Sequence, residues 1–392
     1  MPAPIRVAVD VMSGENDPRA AVWGALEVVA DGDAHALLVG VTERIQAEFD
    51  AWRAAHPSAA QRAGQRLRSE VEIVPAADVI GMDEHPAQAV RGKRDASVVV
   101  ATRLVREGRA SAAVSAGNSG ATFAAALFTV GRVAGVDRPA IGTDLPTPTA
   151  TTFLIDAGTN ADCRPEWLLQ FGIMGAVYAR LMKGVERPRV ALLSNGEEPD
   201  KGSRLVQEAH RLLLGSPLEF TGNVEGHSLL TGICDVAVTD GFTGNVVLKT
   251  AEGVAEFLFG AISREARSSL TGRAGGALLK PRLRPLRDRV DYRKTGGALL
   301  LGVAGEVVIA HGRSDAEAMA NAIRVAVRAS RQGLSAQIAE ALRALPGERP
   351  GDPEGGGRGG GAADGGGSTA PVARRRSPAG SRRTGASRST TA

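Results

Sequence analysis

The chain has 392 residues, 43% of them hydrophobic and 23% charged; that is enough for a large core in one or two domains, and its two cysteines exclude a disulfide framework or a Cys-rich zinc site. Aromatic residues are only 4%, which argues against base stacking, and residues 346–392 hold eight Arg against four acids, so the remaining 39 basic and 39 acidic residues make a neutral body without a nucleic-acid footprint. No apolar run approaches the ~18–20 residues of a membrane span and the first ten residues lack a signal-peptide core, which together predict a cytoplasmic protein.

In chain order, residues 5–9 and 36–39 read as short buried strands, and 20–30 and 44–55 as helices. Residues 61–69 are polar and read as exposed; 71–74 reads as a strand and 97–107 as a helix ending at Gly108. An Ala-rich helix spans 119–131, and another spans 165–181 with Pro165 in its first turn. Lys201-Gly202-Ser203 opens a helix to Leu214, and Asn245 opens one that runs to about residue 269. Residues 306–310 read as a strand, and 315–332 and 334–345 as helices. This alternation predicts an α/β fold, a parallel sheet with helices on both faces. From 346 onward Gly, Pro, Arg and Ser dominate, which predicts a disordered, solvated tail.

Four β-prone runs stop at short turns of Gly, Asn, Ser and acid. They are Ala112-Ala113-Val114 into Ser115-Ala116-Gly117-Asn118-Ser119-Gly120, and Thr152-Phe153-Leu154-Ile155 into Asp156-Ala157-Gly158-Thr159-Asn160. The others are Val190-Ala191-Leu192-Leu193 into Ser194-Asn195-Gly196-Glu197-Glu198, and Val236-Ala237-Val238-Thr239 into Asp240-Gly241-Phe242-Thr243-Gly244-Asn245. His311-Gly312-Arg313-Ser314-Asp315 is a fifth such turn. If the runs are neighbouring strands of one parallel sheet, the turns crowd together where open α/β sheets bind ligands.

The chemistry is narrowed by exclusion. No Gly-x-Gly-x-x-Gly follows the first strand, and Lys201-Gly202-Ser203 has the wrong order for a P-loop, which disfavours nicotinamide and ATP. The six histidines show no ligand spacing, and carboxylates at Asp10, Asp156, Glu197 and Asp240 read as caps and loop anchors ahead of Mg²⁺ ligands, so no metal is expected. Cys163 has no evident base and reads as a small buried side chain. Anion binding remains: Ser115, Asn118 and Ser119 at one helix start, Lys201 at another, and Arg91, Lys93 and Arg94 before Ser97. Glycine-rich turns opening helices suit a phosphate-sized ligand.

Residues 264–294 carry ten basic and three acidic residues around Leu270 and Ala277-Leu278-Leu279. Such a basic hairpin with an apolar tip suits an anionic membrane surface or packs on a partner subunit, and both readings stay open.

At this point the motifs resemble those of the bacterial acyl-ACP:phosphate acyltransferases, the PlsX family of phospholipid synthesis. The stretches are Ser115-Ala116-Gly117-Asn118-Ser119-Gly120-Ala121, Asp156 to Cys163, Leu168-Leu169-Gln170-Phe171-Gly172, Asn195-Gly196-Glu197-Glu198, Gly222-Asn223-Val224-Glu225-Gly226, Thr239 to Val246, and Gly296-Gly297-Ala298-Leu299-Leu300-Leu301-Gly302. They run in the family's order over residues 5–331. Met12-Ser13-Gly14-Glu15, Gly226-His227-Ser228 and Ala96-Ser97 depart from the usual Met-Gly-Gly-Asp, Gly-Arg-Asp and Ser-Ser.

The resemblance implies a Rossmann-like α/β/α sandwich of the isocitrate/isopropylmalate-dehydrogenase type, with a mostly parallel sheet and no nucleotide, as a catalytic domain over 1–345. It implies transfer of a fatty acyl group from acyl carrier protein to inorganic phosphate without a cofactor, in a homodimer at the membrane surface. The acyl phosphate would pass to a membrane glycerol-phosphate acyltransferase. Lys201, Asn118, Asp156 and Asp240 are then the catalytic candidates, and Ser115, Ser119, Asn160, Asn195, Asn245, Arg91 and Lys93 the substrate-binding ones. Leu270, Ala277, Leu278 and Leu279 are the expected membrane or partner contacts. The rival readings are an NAD-dependent decarboxylating dehydrogenase on the same fold and a non-enzymatic scaffold.

Overall fold

The computed structural model describes residues 4–290, 294 and 296–344. The expected disordered tail from 346 lies outside the described residues.

Short runs rich in Val, Ala and Leu form most of the strands, because both faces of the sheet are covered. The first half of the chain gives β1 (Arg6–Asp10), α1 (Arg19–Asp31), β2 (His35–Gly40), α2 (Thr42–Ala55), α3 (Pro57–Ala63), α4 (Arg66–Ser69), β3 (Val71–Pro75), α5 (Pro86–Gly92), α6 (Ser97–Arg106), β4 (Ala112–Ser115) and α7 (Ser119–Thr129). There follow β5 (Ala140–Pro146), β6 (Thr151–Ile155), α8 (Pro165–Lys183), β7 (Arg189–Ser194), α9 (Arg204–Leu214), β8 (Glu219–Glu225) and β9 (Val236–Val238). A helical hairpin, α10 (Gly241–Ser268) and α11 (Leu270–Val290), precedes β10 (Ala298–Leu301) and β11 (Glu306–Ile309). Helices Ala316–Gln332 and Leu334–Arg343 complete the described chain.

The strands form one 11-stranded sheet in the order β3-β2-β1-β4-β11-β10-β5-β6-β9-β7-β8. It is mostly parallel but not wholly so: β11–β10, β10–β5 and β5–β6 pair antiparallel. Three reversals in the middle mean that β6, β9, β7 and β8 run opposite to β1, β2, β3, β4 and β11. One core packs Val7, Val9, Leu38, Phe153 and Val236 of one sheet face against α1, α8 and the Ala316–Gln332 helix. On the other face Ala8, Leu37 and Ala113 pack under α6 and α7, while Leu154, Ala191 and Ala237 pack under Val247 and Leu248 of α10. Helices on both faces make the α/β/α layering expected from the alternation.

Four local expectations change. Residues 61–69 are not an exposed polar stretch: the end of α3 and all of α4 lie there, and Ala63 and Leu67 are buried in the main core. β5 and β8 carry no strand-like pattern in the sequence. Gly142, Asp144 and Pro146 interrupt β5, and β8 is the polar edge strand with a register shift opposite Val190 and Leu192. Asn245 does not open α10; Asp240 caps it, its carboxylate accepting from the Thr243 N–H at 2.8 Å. Lys201 likewise precedes α9, whose cap is Ser203.

Candidate functional site

The four strand-end turns do not form one row. Those after β6, β9 and β7 leave three adjacent parallel strands. The turn after β4 leaves a strand of opposite direction and joins the turns after β1 and β11 instead.

In the first of these groups Asp156 is the hub. It is 0% exposed and its carboxylate accepts from the backbone N–H groups of Ile141, Gly158, Thr159 and Asn160, from the Thr159 hydroxyl at 2.6 Å and from the Asn160 amide at 2.8 Å. Six donors fill a carboxylate's lone-pair positions, so Asp156 holds the turn. Asn160 passes the hold onward: its amide also donates to the Pro139 carbonyl at 2.9 Å, and its carbonyl accepts from the Gly241 N–H at 2.7 Å. Gly244 in the first turn of α10 lies so close to the Asp156 carbonyl that any Cβ there collides with it. Asn245, one residue on, is exposed beside Gly158.

The β7 turn is built differently. Asn195 and Lys201 are exposed, and Lys201 packs its stem against Gly196. Lys201 enters no ion pair among the described residues, although Glu197, Glu198 and Asp200 adjoin it in the chain. The buried Ser194 hydroxyl has no hydrogen-bond partner there either. From β8, Asn223 donates to the Glu198 carbonyl at 2.8 Å and pairs with His210 at 2.9 Å, fixing the turn from behind.

In the other group the Ser115 hydroxyl donates to Asp10 at 2.7 Å and accepts from the Gly117 N–H. Asn118 caps α7 through the Ala121 N–H and donates to the Met82 carbonyl at 3.0 Å. Ser119 is exposed in the first turn of α7. Two groups missed in the sequence stand here. Ser13 places its hydroxyl 3.4 Å from that of Ser97, and Asp17 accepts from the Gly14 and Ala21 N–H groups. Burial and then the Asp10 charge push the Asp17 carboxyl up to about 7. Its hydrogen-bond partners are local, but its burial comes from the fold, which no motif records. Lys93 is engaged already, with its ammonium 2.7 Å from Glu84 and 2.9 Å from the Val79 carbonyl. Arg91 lies 4.9 Å over the Phe128 ring.

Asn118 and Lys201 therefore belong to different turn groups. α10 touches both: its start packs on the Asp156 turn, while Lys249, two turns on, stands near enough to His311 to help burial hold that imidazole below its usual range. Burial, then the Asp156 charge, pushes the Cys163 thiol up to about 12, which removes the thiolate a nucleophile requires. Among the described residues no three His, Cys, Asp or Glu side chains cluster as metal ligands.

α10 and α11 pack closely at their junction, where Gly272 and Gly276 face Glu265 and Ala266. Phe242, Val246, Val254, Phe257, Leu258 and Ile262 leave an apolar face of α10 exposed. Leu270 and Leu278 are 82% and 80% exposed, and Ala277 and Leu279 are exposed beside them. No described helix is long and apolar enough to cross a membrane.

A family model described as "Fatty acid synthesis protein" matches residues 5–337. A phosphate acyltransferase of Moorella thermoacetica is 48% identical over 343 residues, covering 88% of this chain and 96% of its own. One from Anaeromyxobacter is 47% identical over 336 residues, covering 86% and 90%. Among solved structures, a phosphotransacetylase of Streptococcus pyogenes superposes with a TM-score of 0.55 at 16% identity, covering 84% of this chain and 94% of its own. The EutD phosphotransacetylase of Staphylococcus aureus gives 0.53 at 17% identity, covering 83% and 94%. These two are similar in fold alone.

Proposed function

The chain belongs to the phosphate acyltransferase family, and from that premise we propose how its turns carry the reaction. It is an enzyme that transfers an acyl group to phosphate for phospholipid synthesis. The donor we infer is a fatty acyl thioester of acyl carrier protein, and the product an acyl phosphate. A phosphate oxygen attacks the thioester carbonyl carbon, the tetrahedral oxyanion collapses, the C–S bond breaks and the thiolate takes a proton. Phosphate is already a nucleophile and the thioester already activated, so positioning and oxyanion stabilisation suffice without a cofactor.

The observation that carries this reading is an exposed lysine at a strand-end turn, Lys201, with no carboxylate partner among the described residues, beside the unpartnered Ser194 hydroxyl. Lys201 and Asn195 serve as phosphate or oxyanion ligands on one side, and Asn118 and Ser119 at the α7 start on the other. Asp156, Asn160, Asp240 and Asn245 shape the pocket, Ser115 braces the α7 turn, and Arg91 and Lys93 sit at its margin. The sheet is read as that of the isocitrate/isopropylmalate-dehydrogenase type without its nucleotide. The experiment is consumption of acyl-carrier thioester with and without phosphate. Phosphate-dependent release of the carrier thiol, with no nicotinamide reduction, is the expected result; turnover that ignores phosphate overturns the reading.

The exposed apolar face of α10 supports a homodimer formed along the hairpin. The Leu270 and Ala277-Leu278-Leu279 patch amid basic residues supports peripheral contact with an anionic membrane from the cytoplasm, where a membrane glycerol-phosphate acyltransferase would take the product. Sedimentation equilibrium and flotation with anionic vesicles test the two; a monomer, or no flotation, refutes the respective claim.

A further inference from the structure

A depression of about 530 Å³ lies between the end of α7, the 131–139 loop and the start of α8. Three arginines line it, Arg132, Arg138 and Arg164, around the half-buried Trp167. The Arg138 and Arg164 guanidiniums stand 5.0 and 5.7 Å from the Trp167 ring centroid, so the ring holds both in place. Arg132 donates to the Asp137 carbonyl at 2.6 Å. The one acid in the lining, Asp137, is turned to Gln170, whose amide donates to its carboxylate at 3.1 Å and accepts from its N–H at 2.9 Å. None of the three arginines pairs with a carboxylate among the described residues. Three clustered guanidiniums, two of them over one ring and none paired with a carboxylate among the described residues, suit an anion, and their planar forks match phosphate oxygens.

The pocket adjoins the Asp156 turn. Pro139 lines it, and the Pro139 carbonyl accepts from Asn160 of the Asp156 turn. Arg164 follows Asn160 by four residues and begins α8. The volume exceeds what a bare phosphate fills and is in the range of organic ligands, and the Trp167 face offers that organic part a surface.

We propose that this pocket seats the phosphoester of the acyl donor's thiol-bearing arm. The proposal rests on the thioester reading above and names where that donor is gripped. Inorganic phosphate, the second substrate, binds elsewhere, at the turns.

The test is steady-state kinetics of Arg138→Ala, Arg164→Ala and the double variant, each first checked for an unchanged melting temperature. Two donors share the phosphoester arm: acyl carrier protein thioester and acyl-coenzyme A. Each lost charge-assisted bond should raise the KM of both donors by about tenfold or more, while the KM for phosphate stays within about twofold. A raised phosphate KM with donor KM unchanged overturns the proposal and makes the pocket the phosphate seat. A rise confined to the carrier protein donor also overturns it, since the arginines would then meet the protein's acidic surface. Unchanged KM for all substrates overturns it outright. If wild-type enzyme turns over acyl-coenzyme A but no carrier thioester, the carrier reading fails by itself, and the pocket is judged on the coenzyme A comparison.

Discussion

Two turn groups face the same problem, a buried carboxylate at a strand end, and solve it in opposite ways. After β6, Asp156 takes six donors from four residues and braces Asn160 and the start of α10. After β1, Asp10 and Asp17 share a confined space, and Asp17 has only two backbone donors against its neighbour's charge. The first arrangement ties the turn through one side chain. The second holds a proton that the unfolded chain would release. Hydrogen-bond supply separates the two sites, with six donors at Asp156 against two backbone donors at Asp17.

Four measurements test that contrast, and the largest effect is expected at Asp156. Asp156→Ala strips the acceptor from six donors and should cost about 3 kcal/mol or more in chemical denaturation; a loss below about 1 kcal/mol would show that the turn does not depend on it. Next, Lys201→Ala should lower turnover by about 10²-fold, with stability nearly unchanged because the side chain is exposed. Near-normal turnover sinks its role at the site.

Third is the pH dependence of stability. The Asp17 carboxyl is raised from its unfolded value to about 7, so the folded state binds the extra proton between about pH 4 and 7. Its contribution is complete below about pH 4 and is lost as pH rises through about 7, on the order of 4 kcal/mol. Asp17→Asn should flatten that slope; an unchanged slope refutes the assignment. The smallest effects are the caps. Asp240→Ala and Asn118→Ala should each cost about 1 kcal/mol, and Asp240→Ala should also loosen hydrogen exchange at the start of α10. Equal protection in variant and wild type would mean that Asn160 and Gly241 hold that end alone.

Much was legible from local pattern. Apolar runs against Gly and Asn turns located β1, β4, β6, β7, β9 and β11, because fully covered strands need no polar face. Cap chemistry was also local, though the cap of α10 falls at Asp240 and not at Asn245, since Gly241 and Gly244 are drawn into the helix against the Asp156 turn. β5 and β8 have no local signature, because their breakers and polar residues are tolerated only by what lies beside them. Asp144 of β5, for example, is satisfied by Tyr178 at 2.6 Å and by Thr151 at 2.7 Å. The arginine pocket has no signature at all: Arg132 and Arg138 are far in sequence from Arg164 and Trp167.

The alternating α/β layers, the polar strand-end turns and the family follow from the amino-acid order, since each is written in contiguous residues. Tertiary structure alone decided the direction of each half of the sheet, and with it which turns share a neighbourhood. Strand direction depends on the antiparallel β10–β5–β6 insertion, with β10 contributed from far along the chain. Periodicity within a strand carries no information about which way its neighbour runs.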